Sequence, residues 1–256
     1  MARDEERMIA GCLRRLRFAD EVIVVVDDRS RDTTRELAER SGAHVFMEHF
    51  ESFSQLKNAA LARASGDWAL VVDADERVTL GLQKEIVAAL NGPYDAYSVA
   101  RDNYFFGHHM HWGGWPERMV RLFRRGSARY EGDIHERLCF SMGSPRVGRL
   151  DGSLAHFTHR CIGHNLAKTA DFGEVQAREL LAAGHPPVRA ATFARVMATE
   201  LWHRLIRGRA YRDGMPGVVE AIYQPFSLFT VYVRLWELQQ QPSLDQRYLE
   251  LEDEIE

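Results

Sequence analysis

Asp73 and Asp75, one residue apart, close the uncharged, β-prone run Trp68-Ala69-Leu70-Val71-Val72, and Glu76 follows directly. Such a run reads as a buried strand of an α/β protein, and its carboxyl end is where these folds place ligands. Carboxylates crowded there repel one another unless a cation sits between them. A hard divalent ion with oxygen ligands, bringing phosphate oxygens of its own, suits the place. The chemistry expected is the holding of a metal-bound diphosphate. An earlier run, Glu21 to Val26, ends in Asp27 and Asp28. An aspartate at such an edge can accept hydrogen bonds from a base or a ribose.

The flanking segments must position these carboxylates. Asp4 to Leu16 reads as a helix with an apolar stripe of Met8, Ile9, Cys12, Leu13 and Leu16. Thr33 to Arg40 is helical, with Asp32 as its best-placed cap and Gly42 as its stop. His44 to Phe46 is a second strand, Gln55 to Ala64 a helix, and Trp68 to Val72 a third strand. The alternation predicts an α/β fold, a mostly parallel sheet with flanking helices whose strand ends share one edge. Asp27, Asp28, Asp73 and Asp75 would then line one crevice. No strand precedes the first helix, so the sheet's first strand is expected to be missing. Leu80 to Leu90 predicts another helix, and Tyr97 to Arg101 and Met119 to Phe123 predict strands. After Arg160 the pattern turns helical, over Leu166 to Ala183 and Ala190 to Ile206. The division expected is a nucleotide-binding and catalytic domain over residues 1–160 and a C-terminal helical extension over 161–256.

The chain has 256 residues, of which 45% are hydrophobic and 27% charged, so it is long enough to bury a real core and is not disordered by composition. A net charge of -4 gives no global pull toward nucleic acid, and no nucleic-acid partner is expected. Cys12, Cys139 and Cys161 lie far apart, which suits neither a zinc framework nor a disulfide set and favours a reducing compartment. The first residues show no signal peptide, and the longest uncharged C-terminal stretch, Ala221 to Val233, is shorter than a membrane span of ~20 residues. The expected location is cytoplasmic. Peripheral contact with an anionic inner membrane face would come from the basic cluster His203 to Arg212 and the aromatic stretch Ile222 to Phe229, for which a helical cap on the core is the other reading.

Here the chain resembles a family. Val24-Val25-Val26-Asp27-Asp28-Arg29-Ser30-Arg31-Asp32-Thr33 is similar to the nucleotide-binding segment of family 2 glycosyltransferases with the GT-A (Rossmann-like) fold, which usually carry Gly where this chain has Arg29. Asp73-Ala74-Asp75-Glu76 resembles their metal-binding DxD element, and Ala2-Arg3-Asp4-Glu5-Glu6 the opening of one subgroup, with Asp4 in place of Asn. Gly113-Gly114-Trp115-Pro116, Arg121-Leu122-Phe123-Arg124, His135-Glu136 and Gly214-Met215-Pro216-Gly217 follow in the order seen in the bacterial subgroup that includes lipopolysaccharide-core glucosyltransferases.

The resemblance implies roles residue by residue. Asp28, with Asp27 beside it, would meet the nucleotide base. Asp73 would face the ribose or the metal-bound phosphates, and Asp75 would ligate Mg²⁺ or Mn²⁺. His156 resembles a position that supplies a distal metal ligand, with a structural histidine as the other reading. Lys57 and Asn58 would meet the nucleotide or a phosphate, or else lie on an exposed helix face. Glu136 would be the base that takes the acceptor's proton, with His135 adjacent to share or tune the role. Its other reading is an ion pair with Arg137 or Arg124. Arg124 and Arg125 are further candidates for the diphosphate. His108, His109 and His111 crowd one loop with Trp112 and Trp115. With no Cys partner and no regular helical spacing, that loop reads as an acceptor surface rather than a zinc site.

The function expected is an inverting, metal-dependent transfer of a hexose from a nucleotide-sugar, UDP-glucose-like, to a hydroxyl of a cell-envelope glycan or lipid-linked acceptor. The rival is a catalytically inactive nucleotide- or glycan-binding protein on the same scaffold, favoured by the missing strand and by Arg29.

Overall fold

The computed structural model describes residues 1–132, 136–141 and 143–255. The chain divides into two compact units, one built from Met1–Tyr104 and Pro116–Thr158, the other from Phe105–Trp115 and the residues from His159 onward.

In the first unit, β1 (Ile23–Asp27) and β2 (His44–Glu48) pair in parallel, Val25 opposite Phe46. Val24, Val25 and Val26 are buried, the near-continuous apolar run of a covered strand. Helix α1 (Ile9–Arg14) packs Ile9 and Leu13 on Val24 and Val26, and α2 (Thr34–Arg40) adds Ala38 to the same cluster. The first helix starts at Ile9 rather than at Asp4. Asp4 has a φ of 52°, and the backbone of Asp4 to Glu6 is bound to the segment from Ser30 to Thr34 instead. Ser52 caps α3 (Phe53–Arg63) by accepting from the Gln55 N–H, and Thr79 caps α4 (Leu80–Ala89) by accepting from Leu82.

The larger sheet contains β3 (Trp68–Leu70), β4 (Glu76–Val78), β5 (Ala96–Phe105), β7 (Glu117–Arg124) and β10 (Val147–Phe157) in the order β3-β7-β5-β10-β4; β6 (His108–His109) lies off this path. The expectation of a mostly parallel sheet is corrected here. β5 and β10 run parallel, whereas β3–β7, β5–β7 and β4–β10 are antiparallel, so the sheet is mixed. The alternation of strand and helix ends with α4. From β5 to β7 the chain supplies no crossover helix, and strands joined by short connections turn back on themselves. β8 (Ala128–Glu131) and β9 (Arg137–Phe140) form a separate antiparallel pair. The core between α4 and this sheet is built from Leu82, Ile86, Val99, Leu122 and Leu154.

Where the first strand is expected to be missing, a single residue bridges to β1. Ala2 makes one parallel bridge to Val26, donating to the Val25 carbonyl at 2.9 Å and accepting from the Asp27 N–H at 3.0 Å. Beyond it, a cavity of about 640 Å³ is bordered by Val22 and Ile23 on one side and by Trp68 to Val72 on the other.

The second unit is helical: α5 (Ile162–Ala182), α6 (Ala190–Leu201) with a π-helical turn over Trp202–Arg207, a 3-10 turn over Ala210–Asp213, α7 (Gly214–Leu238) and α8 (Leu244–Ile255). Ala177, Val188, Val231 and Leu235 form its core. Among the described residues no helix is long and apolar enough to cross a membrane.

Candidate functional site

Strand register assembles the site. The chain leaves β3, turns at Asp73–Glu76 (the Glu76 N–H donates to the Asp73 carbonyl at 2.9 Å) and enters β4. β4 then pairs with β10, placing His156 opposite Glu76, while β10 pairs with β5, placing the same His156 opposite Asn103. The imidazole therefore lands beside the turn, with Nε2 3.3 Å from Asp75 Oδ2. The Phe157 N–H donates to the Asp75 carbonyl at 2.9 Å and fixes the turn against β10. On the far side of the ring, Nδ1 lies 2.6 Å from Asn103 Oδ1, an acceptor that suits a proton on Nδ1. With the proton on Nδ1, the Nε2 lone pair faces a carboxylate oxygen. Two acceptors in that arrangement require a proton or a metal cation between them, and a histidine so oriented is prepared to ligate.

Behind this pair lies a buried charge network. Arg121, on β7, donates from Nη2 to Asp73 Oδ2 at 2.9 Å and to Glu76 Oε1 at 2.8 Å. Glu76 is fully buried, and its Oε2 accepts from the Asp73 N–H at 2.9 Å. Lys57 Nζ, on α3, lies 3.5 Å from Asp73 Oδ1 and ion-pairs with Glu136. Burial pushes the Asp73 carboxyl up, but Arg121 and Lys57 outweigh it and hold the group well below the ordinary aspartate range. Burial also pushes Glu76 up, and there the Arg121 guanidinium does not fully compensate. Burial draws the Lys57 ammonium down, and Asp73 and Glu136 bring it back above its usual value. Among the described residues Asp73 Oδ1 is buried and accepts no hydrogen bond, with the Lys57 ammonium 3.5 Å away as its nearest counter-charge.

The alternative of an exposed helix face is excluded for Lys57, which is only 6% exposed. Its neighbour Asn58 does a different job from the one expected. Its Nδ2 donates to the Tyr130 carbonyl at 2.9 Å, its Oδ1 accepts the Tyr130 N–H at 2.8 Å, and the residue clamps β8 to α3. Glu136 pairs with Lys57 rather than with Arg137 or Arg124. His135 lies outside the described residues. Arg124 stacks over the Trp68 ring at 4.5 Å and Arg125 donates to the Gly66 carbonyl at 2.7 Å. The antiparallel register sets Arg124 opposite Trp68, at the end of β3 remote from Asp73, and aligns Arg121 beside Val71 instead.

Asp27 is fully buried at the end of β1. The Arg29 side chain meets it in a two-pronged contact at 3.0 and 2.8 Å, and the Arg29 N–H adds a third hydrogen bond. Burial raises the carboxyl and Arg29 more than reverses it. Asp28 is the more open of the two, and His49 Nδ1 stands 3.0 Å from it. Ala74 packs in one cluster with Ala2, Val24 and Val26, which joins the Asp73–Glu76 turn to the β1 end of the first unit. The N-cap of α2 is Thr33 rather than Asp32, and Asp32, one residue before it, accepts from the Thr34 N–H at 2.9 Å.

Arg121 and Asn103 were not singled out as site residues by sequence. Arg121 sits in the Arg-Leu-Phe-Arg stretch, and only the β3–β7 register distinguishes it from Arg124. In the second unit, His108 and His111 meet Asp213, a residue that no local spacing connects to them, at 3.6 and 3.7 Å. The three form a group that could hold a metal ion. Trp202, Ile206, Tyr211 and Met215 are exposed in that unit, among exposed Arg207, Arg209 and Arg212.

Comparison with known proteins adds relatives to this geometry. The family described as Glycosyl transferase family 2 matches residues 1–146. The chain is 28% identical over 265 residues to the lipopolysaccharide core biosynthesis glycosyltransferase LpsC of Rhizobium meliloti, across 94% of this chain and 93% of that protein. It is 25% identical over 254 residues to an uncharacterized glycosyltransferase of Rickettsia typhi, across 93% and 85%. A TPR repeat-containing protein of Synechococcus elongatus is 33% identical over 139 residues, and the match spans 53% of this chain but only 33% of that protein. Among solved structures, S. aureus TarS 1-349 is similar with a TM-score of 0.42 at 12% identity, covering 93% of this chain and 88% of that one.

Proposed function

From the premise that this chain belongs to glycosyl transferase family 2 and is a glycosyltransferase, we propose that it moves a hexose from a UDP-sugar to a hydroxyl of a cell-envelope glycan or lipid-linked acceptor, with inversion, on a GT-A-type scaffold. The observation that carries the reading is the Asp75–His156 pair, a carboxylate oxygen and an imidazole nitrogen 3.3 Å apart at the turn after β3, with Asn103 on the ring's other nitrogen.

This donor set fits a divalent cation. The carboxylate of Asp75 and the imidazole of His156 would hold Mg²⁺ or Mn²⁺, and Asp73 Oδ1 stands by as a further oxygen. Such an ion supplies Lewis-acid stabilisation to a departing diphosphate. The chain's own groups do the rest. Asp28 accepts hydrogen bonds from the base. Lys57 and Arg121 hold Asp73 and set positive charge behind the diphosphate position. Glu136, oriented by Lys57, takes the proton of the acceptor hydroxyl as its oxygen attacks the anomeric carbon from the face opposite the leaving group. Asn103 keeps the His156 proton on Nδ1.

The similarity to LpsC supports an acceptor of the lipopolysaccharide-core kind. The exposed strip of Trp202, Ile206, Tyr211 and Met215 among arginines supports a peripheral approach to an anionic membrane surface, where lipid-linked acceptors lie.

The test is titration calorimetry with UDP, with and without Mn²⁺. Metal-dependent binding that Asp75→Ala abolishes is the expected result. UDP binding indifferent to both metal and Asp75 would overturn the assignment.

A further inference from the structure

We propose that His108, His111 and Asp213 form a second metal site, specific for Zn²⁺, that ties the Phe105–Trp115 loop to the Ala210–Asp213 turn within the helical unit.

The Asp213 carboxylate accepts backbone N–H groups on both oxygens: Oδ2 those of His111 and Trp112 at 3.0 and 2.8 Å, and Oδ1 that of His111 at 3.3 Å. Oδ1 also faces the two imidazoles, 3.6 Å from His108 Nε2 and 3.7 Å from His111 Nδ1. All three ligand atoms lie within 4.8 Å of one another. Ligand atoms about 2.1 Å from a tetrahedral zinc stand about 3.4 Å apart, so the two gaps to Asp213 need a shift of only a few tenths of an ångström, and rotation of the exposed His111 ring would bring the two imidazole nitrogens to that spacing.

A second observation points the same way. His108 Nε2 is buried and has no hydrogen-bond partner, although it faces a carboxylate that is itself only 4% exposed. A distance of 3.6 Å is too long for a hydrogen bond and suits two ligands of one ion. Two imidazole nitrogens and one carboxylate oxygen are a borderline donor set, which favours zinc over the hard Mg²⁺ of an all-oxygen site. The His111 ring is mostly exposed, leaving a solvent-facing side for arrival of the ion and for a water in the fourth position. The N–H groups of His111 and Trp112 orient the carboxylate from outside the ligand set. The His109 ring, 4.2 Å from that of His111, limits its rotation.

The site differs from the Asp75–His156 pair in residues, unit and metal preference, so the experiment uses Asp75→Ala as its background. That protein, stripped with chelator and titrated with Zn²⁺ against a chromophoric competitor, should bind one equivalent and gain several degrees in Tm. Adding His108→Ala or His111→Ala should remove both the equivalent and the Tm gain. These substitutions leave the Asp213 carboxylate and its backbone hydrogen bonds in place, so the variants should fold; far-ultraviolet circular dichroism checks this. Absence of a tight zinc equivalent in Asp75→Ala would overturn the proposal, as would an equivalent that survives both histidine substitutions.

Discussion

His156 and Asp75 stand 3.3 Å apart across 81 positions of sequence because β10, past a register shift between Arg149 and Ser153, runs between β5 and β4 with His156 opposite both Asn103 and Glu76. The strand contributes one side chain that is read by two neighbours. Asn103 faces its Nδ1 and Asp75 its Nε2.

Removal of the carboxylate should therefore separate metal dependence from folding. Asp75→Ala is expected to lose metal-stimulated turnover by about 10²-fold or more, with an unchanged Tm in the absence of metal. Asn103→Ala should leave both ligands present but misoriented, and should raise the Mn²⁺ concentration for half-activation roughly 10-fold. Metal titrations of activity on the two variants check both numbers.

Arg121 is the counter-charge of two buried carboxylates, Asp73 and Glu76. Its replacement by Met removes a guanidinium shared by both, leaving Asp73 with Lys57 and Glu76 with the more distant Arg101, and should cost about 3 kcal/mol, the lower end of the penalty for breaking a buried pair. Urea unfolding monitored by tryptophan fluorescence reads the loss. Arg121→Met with Glu76→Gln should recover part of it.

Asp73 gives the network a direction in pH. Its folded-state pKa lies below its unfolded value of about 3.9, so the folded state holds fewer protons there. The stabilisation is complete above that value and is lost as the pH falls from it toward the folded pKa. Glu76, whose pKa is raised, acts with the opposite sign. Stability of the native protein should thus fall below about pH 4 more steeply than that of Asp73→Asn, as measured by Tm across a buffer series.

Asn58→Ala should cost stability and spare the donor site. It leaves the Tyr130 N–H and carbonyl unpaired, worth about 2 kcal/mol, and touches none of the charged cluster. An unchanged UDP affinity alongside a lower Tm is the expected result. A selective loss of UDP binding would return Asn58 to the nucleotide.

The first hundred residues were largely readable because each strand there is a short apolar run with a helix after it. That pattern exposes the Asp27–Asp28 end and the Asp73–Asp75 turn directly. From Ala96 onward, strands follow strands, and the direction of each depends on connection length, which hydrophobic pattern does not reveal. The choice of Arg121 over Arg124 is a matter of antiparallel register, invisible in a stretch where both arginines flank the same Leu-Phe pair. Asn58 illustrates another limit. A polar residue on a helix before a ligand-bearing strand looks functional, yet its amide matches a peptide unit of β8 so well that it serves the fold. Asp213 stands about a hundred residues from the histidines it meets, and no local spacing could pair them.

The opening segment is laced to the Ser30–Thr34 segment: Asp4 N–H to Ser30 Oγ, Arg31 N–H to Asp4 Oδ1, Glu5 N–H to Thr34 Oγ1 and Glu6 N–H to Asp32 Oδ2. The ordering entropy of the loop that follows Asp28 is thereby met during folding and not at the moment a ligand arrives. The docking proposed at Asp28 would then be onto a preset edge, with a rate governed by encounter rather than by rearrangement of the loop.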